Sequence, residues 1–202
     1  HSHIDHLFAT LRLAKKYDLK NVYIHCFTDG RDTSPTSAVN FVKEIEHECK
    51  KIGVGEISTV CGRFYSMDRE KLYERTQKAY DLMVYGNGEI TDNLVKSIQK
   101  SYDLGVTDEF IKPIKFKSKD FGVIKPNDSV IFFNFRKDRA KQITDSFINS
   151  DFGGFETKFT IKNFLTFSNL GDGLNTMVAF DKLLLKMKIG IKFHLQRLKL
   201  LI

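Results

Sequence analysis

The chain has 202 residues, 42% of them hydrophobic, and a formal net charge of +7. This suits one large domain or a domain with an appendage, and excludes a disordered chain. Residues 158–202 hold eight Lys/Arg against two Asp/Glu, which leaves the body almost neutral and argues against a basic groove formed by the whole fold.

The opening His-Ser-His-Ile-Asp-His offers three histidines in six residues. A helix pattern begins at Ile4 and places Leu7, Phe8, Leu11 and Ala14 on one face, so His3 and His6 read as an exposed helix start rather than a metal site. His1 precedes that helix and is positioned to face a ligand at its N-terminus. No charged-then-apolar leader follows His1, and the sequence reads as a fragment or processed piece without a signal peptide. No apolar run approaches the length of a membrane span. Cys26, Cys49 and Cys61 are an odd number without metal-ligand spacing and read as buried, reduced thiols of a cytoplasmic protein.

Val22–Phe27 is a strand-length apolar run ending in Asp29-Gly30-Arg31-Asp32. Ser34-Pro35 then reads as a helix start, with Ser as cap and Pro at the first helical position. The helix that follows carries Ala38, Phe41, Val42, Ile45, Cys49 and Ile52 on one face and stops at Gly53. Strand, polar loop and helix form the βα unit of a parallel sheet, where ligands bind beyond the carboxyl ends of the strands. A second strand, Ile57–Cys61, runs into Gly62-Arg63-Phe64-Tyr65-Ser66-Met67-Asp68-Arg69. A helix through Leu72, Thr76, Ala79, Tyr80 and Met83 is closed by Gly86-Asn87-Gly88.

Thr91–Leu104 reads as a further helix ended by Gly105. Thr107–Phe110 is a turn or short helix. Ile111–Lys119 alternates loosely, as an edge strand or loop ribbon does, because Pro113 and Pro126 argue against a central strand. Val130–Phe135 is the third strand and the most apolar. It is followed by Arg136-Lys137-Asp138-Arg139 at the start of a helix carrying Ala140, Ile143 and Phe147. Phe159–Phe167 reads as one more strand. From about Leu183 the chain is basic and without a clear period, fitting either an amphipathic surface segment or a stretch with no partner in this chain.

Three strands thus end in arginines: Arg31, then Arg63 and Arg69, then Arg136 and Arg139. In a parallel sheet these ends share one edge. Each arginine alone is also compatible with a weak surface ion pair. Together they suit bidentate binding of a small phosphorylated acid, a contact lysine cannot reproduce. Asp32 would offset one charge or accept a hydroxyl proton. Asp29, Asp32 and Asp68 stand among cations and make a poor site for a divalent metal.

The motifs at 1–6, 29–33, 62–69, 105–110 and 132–140 resemble, in order and spacing, the cofactor-independent phosphoglycerate mutases over roughly residues 1–170. The resemblance implies the substrate-binding domain that this family inserts into an alkaline-phosphatase-like domain, preceded by one further strand. It implies 3-phosphoglycerate or 2-phosphoglycerate as ligand, with contacts at His1, Arg31, Asp32, Arg63, Arg69, Arg136 and Arg139. It also implies that the phosphoryl-accepting serine and two manganese ions belong to a domain whose motifs are absent from these residues. The family's substrate-binding lysine lies further along and is not matched to a position of this sequence.

The expectation is therefore an α/β domain over 1–181, a mainly parallel sheet with helices on both faces, followed by a basic tail over 182–202. The chain should hold phosphoglycerate for a glycolytic isomerase, as a cytoplasmic monomer with no nucleic-acid or membrane partner, and be inactive alone. The alternatives are a stand-alone anion-binding module and a nucleic-acid or membrane-surface binder acting through the tail.

Overall fold

A computed structural model describes residues 1–117, 122–171, 173–180 and 197–201. Its helices are α1 (Ile4–Lys16), α2 (Ala38–Ile52), α3 (Arg63–Ser66), α4 (Tyr73–Tyr85), α5 (Leu94–Asp103) and α6 (Lys137–Ile148). Its strands are β1 (Asn21–Thr28), β2 (Glu56–Gly62), β3 (Glu89–Thr91), β4 (Ile114–Phe116), β5 (Ser129–Phe132), β6 (Asn163–Thr166), β7 (Met177–Val178) and β8 (Arg197–Leu201). They form one sheet in the order β3-β4-β2-β1-β8-β5-β6-β7. Each pairing is parallel except β2 with β4. The expected α/β class and mainly parallel sheet are present.

Alternation along the strands divides the core into two layers. Val22, Ile24 and Cys26 of β1 and Leu198 and Leu200 of β8 pack with Leu7, Leu11, Val42, Ile45 and Ile98 from α1, α2 and α5. Val130 and Phe132 of β5 and Leu201 of β8 face the other way, against Ala79 and Met83 of α4 and Ile143 and Phe147 of α6. Helices therefore cover both faces, as expected. All three cysteines are buried and unpaired.

Several local expectations need correction. Helix α2 starts at Ala38, not at Pro35, and the Ser37 side chain makes no cap. The cap comes from far along the chain: the Asp108 carboxylate accepts the Ser37 and Ala38 backbone N–H groups, both at 2.9 Å. Strand β5 stops at Phe132, and β6 covers only Asn163–Thr166. Helix α5 begins at Leu94, after the Asn93 side chain accepts the Lys96 N–H at 3.0 Å. Strand β4 lies inside the sheet; the edge is the three-residue β3, which was not anticipated. Pro113 fits because it immediately precedes β4, where its carbonyl accepts the Glu89 N–H at 2.9 Å.

The largest correction concerns the basic tail. Residues 181–196 and 202 lie outside the described residues, but 197–201 form a strand at the centre of the sheet, between β1 and β5. Lys199 is fully buried there. Its Nζ donates to the Gly122 carbonyl, stands 3.8 Å from Asp128 Oδ2 and lies 3.9 Å from the Tyr23 ring centre. A lysine charge held in the core by an acid, a carbonyl and an aromatic face is compatible with a central strand. The surface-segment reading therefore fails for these five residues.

Candidate active-site face

The three arginine-bearing loops leave the sheet on one side. Thr28, the last residue of β1, is in register with Gly62, the last of β2; His25 and Phe132 are both in register with Leu201. The carboxyl ends of β1, β2 and β5 thus share one edge, the edge at which open α/β sheets bind ligands.

Two glycines bring the β1 and β2 loops against the short 3-10 turn at Asp108–Phe110. A Cβ on Gly62 would lie 2.2 Å from the Glu109 carbonyl oxygen. Gly30 has φ +64°, and a Cβ there would lie 2.7 Å from Asp108 Cβ. Both positions therefore require glycine on grounds of space. Asp29 Oδ1 accepts the Arg31 and Asp32 N–H groups, each at 3.1 Å, and so holds the loop in shape.

Arg63 is the centre of the face. Although only 3% exposed, its Nη1 donates to Asp29 Oδ1 at 2.6 Å and to Asp32 Oδ2 at 2.9 Å. Burial alone would favour its neutral form, but these two carboxylates outweigh it and hold the guanidinium firmly charged. Asp32 in turn is held below the usual carboxylate range, chiefly by the Arg63 hydrogen bond. His1 joins them, its Nε2 3.3 Å from Asp32 Oδ2 and 3.0 Å from Arg136 Nη1. The His1 carbonyl accepts the Phe135 N–H at 3.1 Å, which ties the start of the chain to the β5 loop.

Asp138 couples the second and third loops. One oxygen accepts Arg69 Nη1 at 2.5 Å and the other accepts Arg136 Nε at 3.1 Å. Burial pushes the Asp138 carboxyl up, but the two arginines prevail and bring it below its ordinary value. Arg139 lies behind them and donates to the Met67 carbonyl at 3.1 Å. Its proton affinity is lowered first by burial and then by the charges of Arg69, Arg63 and Arg136. Arg139 Nε is buried without an acceptor among the described residues.

Of the seven residues singled out in the sequence, His1, Asp32, Arg63 and Arg136 meet directly. Arg69 and Arg139 flank them. Arg31 points elsewhere: it is well exposed, and its nearest acid is Glu109 at 3.7 Å. The cations are also interleaved with Asp29, Asp32 and Asp138 rather than left to repel one another. Asp138 and Asn134 were passed over, although Asp138 lies between two of the chosen arginines. Asp108 gave no local signal, because its partners at Ser37 and Ala38 are 71 and 70 residues away.

Among the described residues no group of three or more His, Cys, Asp or Glu is suited to hold a metal ion. His3 accepts the Asp5 N–H as part of a capping box, and His6 completes that box. The residues described here therefore do not fit a manganese pair, which the resemblance assigns to a domain whose motifs are absent from them.

The family model described as BPG-independent PGAM N-terminus matches residues 1–171. The 2,3-bisphosphoglycerate-independent phosphoglycerate mutase of Clostridium tetani is 46% identical over 194 residues, 95% of this chain and 36% of that protein. The corresponding protein of Clostridioides difficile is 52% identical over 166 residues, 81% of this chain and 32% of that protein. The crystal structure of Leishmania mexicana phosphoglycerate mutase at low cobalt concentration shares the fold, with a TM-score of 0.74 at 22% identity over 83% of this chain and 33% of that one. The chain thus spans about a third of the length of the relatives it matches. With the family model covering most of its length, the chain belongs to the BPG-independent phosphoglycerate mutase family, as a piece matching that family's N-terminal model.

Proposed function

We propose that this chain is the substrate-holding part of an enzyme that interconverts 3-phosphoglycerate and 2-phosphoglycerate in glycolysis. The observation that carries the reading is the meeting of Arg63, Arg136, Asp32 and His1 at the carboxyl ends of three parallel strands, with Arg69 and Arg139 at the flank. Phosphoglycerate bears a phosphate and a carboxylate, and paired guanidinium forks suit both. In this reading Arg63, Arg69, Arg136 and Arg139 take the charged groups, displacing part of the Asp138 bridge. Arg31 swings in from Glu109, His1 closes the site, and Asp32 contacts a substrate hydroxyl and moves its proton.

The phosphoserine intermediate and the two manganese ions are assigned to the part of the relatives that this chain does not span. Preorganised guanidiniums would neutralise charge while the glycerate reorients, and closure against the rest of the enzyme would exclude water. We place the protein in the cytoplasm as a monomer. No described helix is long and apolar enough to cross a membrane. The nucleic-acid reading is weakened because one of the tail's lysines, Lys199, is buried in the sheet.

Titration calorimetry of the chain with 3-phosphoglycerate tests the proposal. Saturable one-to-one binding that Arg136→Ala weakens is expected. Absence of binding, or binding indifferent to that substitution, would refute it.

A further inference from the structure

A chamber of about 180 Å³ lies between the sheet, α1 and α2, directly behind the arginine face. Its apolar wall includes Cys26, Ala38, Val42, Ile45 and Phe133, all buried, with the half-buried Phe27 and the exposed Phe41. Its polar wall includes His1, Asp29, Arg63 and Asn134, residues of the anion-binding face or adjacent to it. Arg136 touches this wall through His1 Nε2, at 3.0 Å.

Several of the polar atoms that border the chamber are already engaged. Asp29 Oδ1 accepts Arg63 and two backbone N–H groups. Asp108 accepts the Ser37 and Ala38 N–H groups and the Tyr102 hydroxyl. Thr28 donates to the Asp108 carbonyl at 2.6 Å, Ser37 donates to the Ser34 carbonyl at 2.8 Å, and Asn134 Oδ1 accepts the Arg136 N–H at 2.8 Å. The volume exceeds the roughly 150 Å³ of an apolar cavity that stays dry and takes up benzene.

An apolar chamber with three phenylalanines in its wall, opening beside a guanidinium cluster, has the make-up of a ligand pocket: mostly hydrophobic lining with a few placed polar groups. We propose that it is a second subsite, which accepts a single ring-sized apolar group carried on a phosphate held by Arg63 and Arg136, so that the chain binds a small aryl phosphate more tightly than the bare anion. The proposal rests on the anion-binding reading above for the phosphate half of the ligand. Burying one ring should tighten binding roughly 10- to 100-fold, from the apolar area removed from water.

The test compares inorganic phosphate with phenyl phosphate by titration calorimetry on the full chain. Proton NMR contacts between the phenyl ring and the methyl groups of Val42 and Ile45 report where the ring sits. Tighter binding of phenyl phosphate, with those contacts present, is expected. Ala38→Leu, which places four heavy-atom-sized groups' worth of side chain where one methyl stands, should fill the chamber, remove that advantage and leave phosphate binding unchanged. Equal affinities, or a ring with no contact to those methyls, would overturn the subsite while leaving the anion site standing. Failure of both anions to bind would overturn both. The NMR contacts on the unaltered chain decide the matter if Ala38→Leu fails to fold.

Discussion

Arg63 and Asp29 bind the first two strand ends together, Nη1 donating at 2.6 Å to a carboxylate 34 residues earlier in the chain. Arg63 is therefore both a ligand group and a brace for the loop that carries Arg31 and Asp32. Arg63→Ala should lower affinity for 3-phosphoglycerate by about ten- to a hundredfold, the equivalent of roughly 1.5–3 kcal/mol for a charge-assisted contact. Arg63→Lys should also bind more weakly, since a point charge cannot replace the planar fork. Calorimetry on both variants, with thermal melts to confirm that they are folded, provides the check. Unchanged affinity in a folded Arg63→Ala variant would remove Arg63 from the site.

Asp108 is the device that sets the start of α2, and with it the position of the β1 loop. It is almost fully buried, and it receives two backbone N–H groups of that helix together with the Tyr102 hydroxyl. Asp108→Ala leaves those donors without their acceptor and should cost about 1–3 kcal/mol. Asp108→Asn keeps one acceptor oxygen and should recover part of the loss. Urea unfolding curves of the three proteins measure it; an alanine variant as stable as the parent would show that water substitutes for the carboxylate.

The difference between what the sequence disclosed and what it hid follows from where each interaction partner lies. β1, β2 and β5 were legible because each is an apolar run that stops at a glycine, an acid or an arginine. The arginine loops were legible because their position follows from strand direction alone. The start of α2 was misread because Ser34 and Pro35 carry the local signature of a helix start while the operative cap, Asp108, lies more than 70 residues downstream. β8 was hidden for a different reason. The run Arg197-Leu198-Lys199-Leu200 alternates polar and apolar residues, which reads as a strand with one exposed face, and Lys199 reads as a surface residue until Asp128 and Tyr23 are seen beside it.

That buried strand leads to a prediction of its own. Leu200 is fully buried, packs with the α1 and α2 layer, and pairs with both Ile24 and Ile131 in register. Leu200→Ala should destabilise the chain by about 2–5 kcal/mol, the cost of a lost side chain plus the cavity it leaves. A surface tail would tolerate the change. A denaturation midpoint equal to that of the parent would place this stretch outside the core.

His25 should make stability depend on pH above the range where carboxylates titrate. Its ring is fully buried on β1, with Nδ1 2.8 Å from Thr59 Oγ1 and no partner for Nε2 among the described residues. Burial first, and the charge of Lys199 second, hold its pKa well below the ordinary value. Below about pH 6.5 the unfolded chain takes up a proton on this histidine, while the folded chain does not until its own lower pKa is reached. The unfolded state then binds more protons, so stability falls as pH falls through this window, by up to about 1.4 kcal/mol per pH unit. Unfolding free energies between pH 7.5 and 5.5 should show the slope, and His25→Gln should lessen it. Equal slopes in the two proteins would assign the effect to other groups.

The chain alone should not interconvert 3- and 2-phosphoglycerate. Transfer through a covalent intermediate needs a nucleophile with an activating base or metal. Ser66 is buried and its hydroxyl faces the Gly62 carbonyl at 3.3 Å. Ser37 Oγ donates to the Ser34 carbonyl at 2.8 Å and lies 3.3 Å from Asp108 Oδ2, a carboxylate already committed to two backbone N–H groups and Tyr102. The histidine at the arginine face, His1, lies against Asp32 and Arg136. What the face offers is charge neutralisation and a hydroxyl contact at Asp32, which hold and orient a glycerate but do not accept its phosphoryl group. A coupled enolase assay with added manganese should therefore read zero at concentrations of chain that saturate calorimetric binding. Turnover that scales with chain concentration and disappears in Ser37→Ala or Ser66→Ala would place the phosphoryl acceptor within these 202 residues and overturn the division of labour proposed here.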